Sequence, residues 1–127
     1  MKYLHTMIRV KDIQKSLDFY TKVLNMNIDS KMRLDDCWLY FLSDNDKTCQ
    51  IELTYNDDTP KDGYEIGSGF GHFAFSIDSL DDFTEKISKL GYEYLYPPFD
   101  LNGKGSMIAF IKDPDGYEIE LIEKVVV

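Results

Sequence analysis

The spacing of apolar residues changes period twice in the first sixty positions. In the opening stretch His5, Met7 and Arg9 alternate with Thr6, Ile8 and Val10, the two-residue period of a strand. From Asp12 the period lengthens: Ile13, Leu17, Tyr20 and Leu24 fall on one helical face, with Asp12 placed to cap the start and Asn25 just past the end. Alternation then returns in YFLSD (40–44) and in 49–55, where Ile51, Leu53 and Tyr55 oppose Gln50, Glu52 and Thr54. The second half repeats this order. Phe73, Phe75 and Ile77 oppose His72, Ala74 and Ser76. Ser79 can cap a helix in which Leu80, Phe83, Ile87 and Leu90 recur at helical spacing; Asp82 follows three residues after the cap and Gly91 suits the position after the helix. Asp113-Pro114-Asp115-Gly116 marks a turn between the strand-like runs MIAFI and YEIELIE. Further strands are expected near 27–34 and 92–96.

The chain is therefore written twice. Aligning His5 with His72 brings YFLSD opposite AFIKD (109–113) and Ile51-Glu52-Leu53 opposite Ile119-Glu120-Leu121. The offset is 67 residues at the histidines and 68 at the glutamates, so only small insertions separate the halves. Each half reads as strand, helix and about three strands, an α+β pattern of two tandem modules. The first module spans 1–56 and the second 72–127, within a single domain; the polar, Gly-rich stretch 57–71 reads as the linker. Two similar sheets in one chain suggest a pseudo-symmetric arrangement around a shared concave surface.

Composition narrows the partners. With 14 basic and 23 acidic side chains in 127 residues, the net charge is −9, which disfavours nucleic acid and anionic lipid as partners. The start, MKYLHTMIRV, lacks the apolar core of a signal peptide, and no stretch approaches the roughly 20 apolar residues of a membrane span, so cytoplasm is the expected location. Cys37 and Cys49 match no zinc or redox spacing and read as two free thiols.

The candidate chemistry follows from the repeat. Each half places one histidine on its first strand (His5, His72) and one glutamate on its last (Glu52, Glu120), all on the face turned away from the helix. Singly, a strand histidine is usually hydrogen-bonded or exposed, and a strand glutamate is usually solvated. Here the only two histidines of the chain occupy equivalent places, and each is accompanied by an equivalent carboxylate. Two imidazoles and two carboxylates neutralise a dication and suit Zn²⁺, Ni²⁺, Co²⁺ or Mn²⁺; at six-coordination they leave two positions for water or substrate.

These residues carry a resemblance that covers nearly the whole chain. LHTMIRVKDIQKSLDFYTKVLNM (4–26), IELTYN (51–56), YEIGSGFGHFAFSI (64–77) and IAFIKDPDGYEIELIE (108–123) resemble the glyoxalase I (lactoylglutathione lyase) family of the vicinal oxygen chelate superfamily. Glu52 is the discriminating ligand, because sister families such as methylmalonyl-CoA epimerase carry Gln there. The resemblance implies paired βαβββ modules forming cup-like sheets in a homodimer. It implies interface metal sites built from His5 and Glu52 of one chain and His72 and Glu120 of the other. It further implies Ni²⁺ or Co²⁺ in preference to Zn²⁺, with glutathione or another low-molecular-weight thiol as co-substrate. The implied reaction isomerises the methylglyoxal–glutathione hemithioacetal to S-lactoylglutathione through an enediolate, with Glu120 as the base and Glu52 in that role for the opposite stereoisomer. Arg9, Asn56 and Lys104 fall at or near the family's thiol-binding positions. The residues of DFYTKVL, Phe19 and Tyr20 included, read instead as helix core. Alternative functions are another metalloenzyme of the superfamily (an epimerase, a thiol transferase or an extradiol dioxygenase) or a non-catalytic binder like the bleomycin-binding members. The fourth ligand argues against the dioxygenase, and the metal quartet argues against the binder.

Overall fold

The computed structural model describes residues 1–125. It divides into two compact units, one spanning Met1–Glu65 and one beginning at Ile66, each with the order strand, helix, three strands.

In the first unit, β1 (His5–Arg9) is followed by α1 (Ile13–Asp18), β2 (Asn27–Arg33), β3 (Cys37–Ser43) and β4 (Gln50–Asn56). The sheet order is β1-β4-β3-β2, so the first and last strands of the unit are neighbours and run parallel. Asp12 caps α1, its side chain accepting from the Lys15 backbone N–H. The helix does not stay α-helical. Phe19–Val23 forms a π-helical turn, closed by Leu24 N–H to Phe19 C=O and ended by Asn25 at φ 56°. Of the expected Ile13, Leu17, Tyr20 and Leu24, Tyr20 is buried and the other three are half-buried; Ser16, Phe19 and Val23 are buried beside Tyr20. Phe19 and Tyr20 are fully buried core residues, as their helical spacing indicated, and they join Ile8, Val10, Leu42 and Leu53 in the interior.

In the second unit, β5 (His72–Ile77), α2 (Leu80–Leu90), β6 (Tyr94–Asp100), β7 (Met107–Lys112) and β8 (Glu118–Glu123) give the matching order β5-β8-β7-β6, again with first and last strands parallel. Ser79 accepts from the Asp82 backbone N–H, and Gly91 closes α2 at φ 84°, a left-handed conformation that suits glycine. Leu80, Phe83 and Ile87 are buried, with Ile111, Ile119 and Leu121 on the sheet. β6 begins later than expected and runs through Pro97 and Pro98. It can do so because it is an edge strand, and its register with β7 breaks between Tyr96 and Phe99, where the prolines donate no hydrogen bond.

The stretch 57–71 is divided between the units. Asp57 is bonded to Arg33, and the Tyr64 hydroxyl accepts from Asn56, which ties this part to the first unit. Phe70 packs edge-on against Phe73 and Tyr117 in the second.

Candidate metal centre

Parallel pairing of β1 with β4 sets the geometry. His5 lies opposite Gln50 and Met7 opposite Glu52, so Glu52 is two residues along from the partner of His5 on the same face. At this diagonal His5 Nε2 stands 3.2 Å from Glu52 Oε1. The second unit repeats the register: His72 lies opposite Glu118, and Nε2 of His72 stands 3.3 Å from Oε1 of Glu120. Both imidazoles are partly exposed, whereas both carboxylates are largely buried.

A third side chain completes each pair. Phe41 on β3 lies opposite Glu52 and turns its ring edge-on to His5, with centroids 5.6 Å apart and planes at 74°. Phe110 on β7 lies opposite Glu120 and meets His72 at 5.4 Å and 84°. Each imidazole is thus held between a carboxylate and an aromatic edge. The alignment of YFLSD with AFIKD already superposed these two phenylalanines. A role for them was not legible, because nothing in a linear pattern says which strand lies beside β1 or β5.

The donor spacing fits a divalent metal. Ligand bonds of about 2.0–2.2 Å place neighbouring donors roughly 3.0 Å apart at a right angle and roughly 3.4 Å apart at the tetrahedral angle. Both pairs fall within that interval. Among the described residues no group of three or more His, Cys, Asp or Glu side chains lies together, so each unit by itself presents two of the four expected ligands. An isolated hydrogen-bonded His–Glu pair would show a similar distance. What sets these pairs apart is their recurrence, with the same strands, register and flanking phenylalanine.

The expected substrate-binding residues are placed as follows. Arg9 is exposed on the His5 face of β1, opposite Thr54. Asn56 ends β4 on the Glu52 face, and its amide nitrogen donates to the Tyr64 hydroxyl at 2.8 Å. Tyr64 donates in turn to Thr59 Oγ1 at 3.4 Å, and Thr59 Oγ1 donates to the Asn56 carbonyl at 2.6 Å, so Asn56 is oriented by a small closed network that local pattern did not disclose. Lys104 is exposed in the second unit, in the loop between β6 and β7. That loop is organised by Asp100, whose carboxylate accepts from the Gly105 backbone N–H at 2.8 Å. The Gly105 N–H, with those of Asn102, Gly103 and Lys104, holds the Asp100 carboxyl below the usual carboxylate range. Both cysteines are free; burial raises the Cys37 thiol pKa above its ordinary value.

Comparison with known proteins places the fold. A lactoylglutathione lyase of Escherichia coli O157:H7 is 43% identical over 128 residues, an alignment covering 98% of this chain and 93% of that protein. The crystal structure of glyoxalase I from Zea mays superposes with a TM-score of 0.86 at 32% identity, covering 99% of this chain but only 46% of the maize chain. The trypanothione-dependent glyoxalase I of Leishmania major superposes at 0.79 with 32% identity, covering 97% of this chain and 86% of that one. Residues 2–121 match the Glyoxalase/Bleomycin resistance protein/Dioxygenase superfamily, and the chain belongs to that superfamily, within its glyoxalase I family.

Proposed function

We propose that this protein is a lactoylglutathione lyase that isomerises the hemithioacetal of methylglyoxal and glutathione to S-lactoylglutathione. The observation that carries the reading is the duplicated His–Glu pair, the same in strand position and register and within 0.1 Å in donor spacing in both units. The full-length relative in Escherichia coli supports the activity.

His5, Glu52, His72 and Glu120 would hold one divalent metal. Because each unit presents two donors, the complete site requires the two pairs to come together. The family arrangement, a homodimer in which His5 and Glu52 of one chain face His72 and Glu120 of the other, meets that need. Ni²⁺ or Co²⁺ is the favoured metal, with Zn²⁺ as the alternative. When bound, the dication supplies Lewis acidity that stabilises negative charge developing on the substrate oxygens. The protein's own residues supply the rest. A carboxylate must take the proton from C1 and return it at C2, which requires a group close to both carbons and able to move between them. Glu120 fills this role, and Glu52 serves the opposite hemithioacetal stereoisomer. Arg9 and Lys104 offer cations to the carboxylates of the thiol. Asn56, oriented by Tyr64, offers amide hydrogen bonds to its peptide groups. Residues 1–56 and 72–127 act as the two modules of one domain, joined through 57–71. No helix among the described residues is long and apolar enough to cross a membrane, and we place the activity in the cytoplasm with a small-molecule substrate.

The deciding experiment supplies methylglyoxal with glutathione, and in parallel with trypanothione, to protein loaded with Ni²⁺, Co²⁺, Zn²⁺ or Mg²⁺, and follows thioester formation. Turnover with at least one thiol is expected, strongest with Ni²⁺ or Co²⁺. Glu120→Gln should abolish it while leaving a folded protein. No thioester with any metal, or full activity in Glu120→Gln, would overturn the reading.

A further inference from the structure

The two His–Glu pairs share strand position, register and a flanking phenylalanine but differ in what else the carboxylate meets. Thr54 lies two residues after Glu52 on the same face of β4, and its hydroxyl donates to Glu52 Oε2 at 2.7 Å in a buried setting. The hydroxyl is the donor and the carboxylate oxygen the acceptor. Its length is ordinary for a well-formed O–H···O bond. With Oε2 engaged by Thr54, Oε1 is the oxygen beside His5 Nε2. Threonine suits this role because its branched Cβ restricts χ1, so the hydroxyl is held in place rather than merely available. Thr54 is only 5% exposed and Glu52 8%, so water competes little for either group.

The counterpart of Thr54 in the second unit is Ile122, two residues after Glu120. Ile122 has no hydroxyl and is 40% exposed. Among the described residues, the polar contact of the Glu120 carboxylate is with His72 alone.

We propose that Thr54 is a positioning residue that restrains Glu52 as a metal ligand, so that Glu52 moves protons less readily than Glu120, whose carboxylate lacks such a donor and can rotate and carry them. The proposal rests on the metal reading above and deepens it: a pseudo-symmetric ligand set acquires two unlike carboxylates through one hydroxyl. Removing such an outer hydrogen bond typically lowers metal affinity about 10–100-fold.

Three variants test it. Thr54→Val keeps shape and branching but lacks the hydroxyl; Thr54→Ser restores the hydroxyl. In calorimetric titration of metal-free protein with Ni²⁺, Thr54→Val should bind about 10–100-fold more weakly and Thr54→Ser should recover most of the affinity. The visible spectrum of the Co²⁺-loaded Thr54→Val protein should shift as Glu52 relaxes toward two-oxygen ligation, and that of Thr54→Ser should not. Ile122→Thr, at an exposed position independent of Thr54 packing, should place a hydroxyl beside Glu120 and lower kcat at least ten-fold while Ni²⁺ affinity holds or rises. Wild-type Ni²⁺ affinity and Co²⁺ spectrum in Thr54→Val would overturn the clamp, as would a Thr54→Ser protein that behaves like Thr54→Val. An unchanged kcat in Ile122→Thr would overturn the mobility assigned to Glu120. The parent reading is separated by His5→Ala: if that variant binds Ni²⁺ as the wild type does, the metal reading falls and the clamp with it. If only His5→Ala loses affinity, the metal reading stands and the clamp alone is refuted.

Discussion

The phenylalanines that flank the histidines offer a test of whether the two units contribute alike. Phe41 and Phe110 meet His5 and His72 edge-on, at 5.6 and 5.4 Å. Replacing either by Leu keeps an apolar, half-buried side chain on the strand but removes the ring contact that restrains the imidazole. An aromatic pair in this geometry contributes about 0.5–1.5 kcal/mol beyond the area it buries. If the contact serves to hold the imidazole in its ligating orientation, its loss appears in metal affinity as about a two- to twelve-fold weakening, since about 1.4 kcal/mol corresponds to ten-fold. Phe41→Leu and Phe110→Leu should therefore weaken Ni²⁺ binding by that range and by similar factors, because the contacts are geometrically equivalent. Calorimetric titration of metal-free protein reads the effect. Thermal melts of the same metal-free samples separate it from a general loss of stability. Two results would refute the reasoning: affinity unchanged in both variants, which would make the rings mere packing, or a large effect in one variant and none in the other, which would show that the recurrence of the pair is not a functional equivalence.

Other outcomes follow from local features. Gly91→Ala should lower Tm by about 3–8 °C, because a Cβ at φ 84° costs about 1 kcal/mol or more although no neighbouring atom obstructs it; an unchanged melting curve would refute this. Asp100 has its folded pKa lowered by backbone N–H groups, so its stabilisation is present above the unfolded value of about 3.9 and is lost as pH falls through the folded value. The stability gap between wild type and Asp100→Asn should thus be widest at neutral pH and close at acid pH in urea titrations, whereas a gap independent of pH would count against the assignment. Tyr64→Phe removes the acceptor for the Asn56 amide and should raise KM for the thiol about two- to twelve-fold with little change in kcat, judged by steady-state kinetics at saturating metal; an equal loss in kcat would point away from thiol binding.

Much of this arrangement was determined by sequence alone. The duplication was legible because both halves run through the same succession of periods, and because strand alternation puts His5 with Arg9, and Glu52 with Thr54 and Asn56, on defined faces irrespective of neighbours. The helix caps were legible for the same reason: Asp12, Ser79 and Gly91 act through bonds or dihedrals only a few residues long. Three features waited for tertiary structure. The π-helical turn at Phe19–Val23 is set by the backbone bond from Leu24 to Phe19, which leaves no mark in the spacing of apolar residues. The passage of β6 through two prolines depends on its being an edge strand, a fact of sheet order rather than of composition. Most consequential is the pairing of β1 with β4 and of β5 with β8. The strands joined in each pair begin more than forty residues apart, and only their parallel register brings each histidine within 3.3 Å of its glutamate and lays a phenylalanine against it. Sequence alone supplied the proposed ligands and the face they share. Long-range strand pairing decided their distance, and the burial that came with it turned Thr54 from an ordinary strand residue into the neighbour that makes one of two matching carboxylates different from the other.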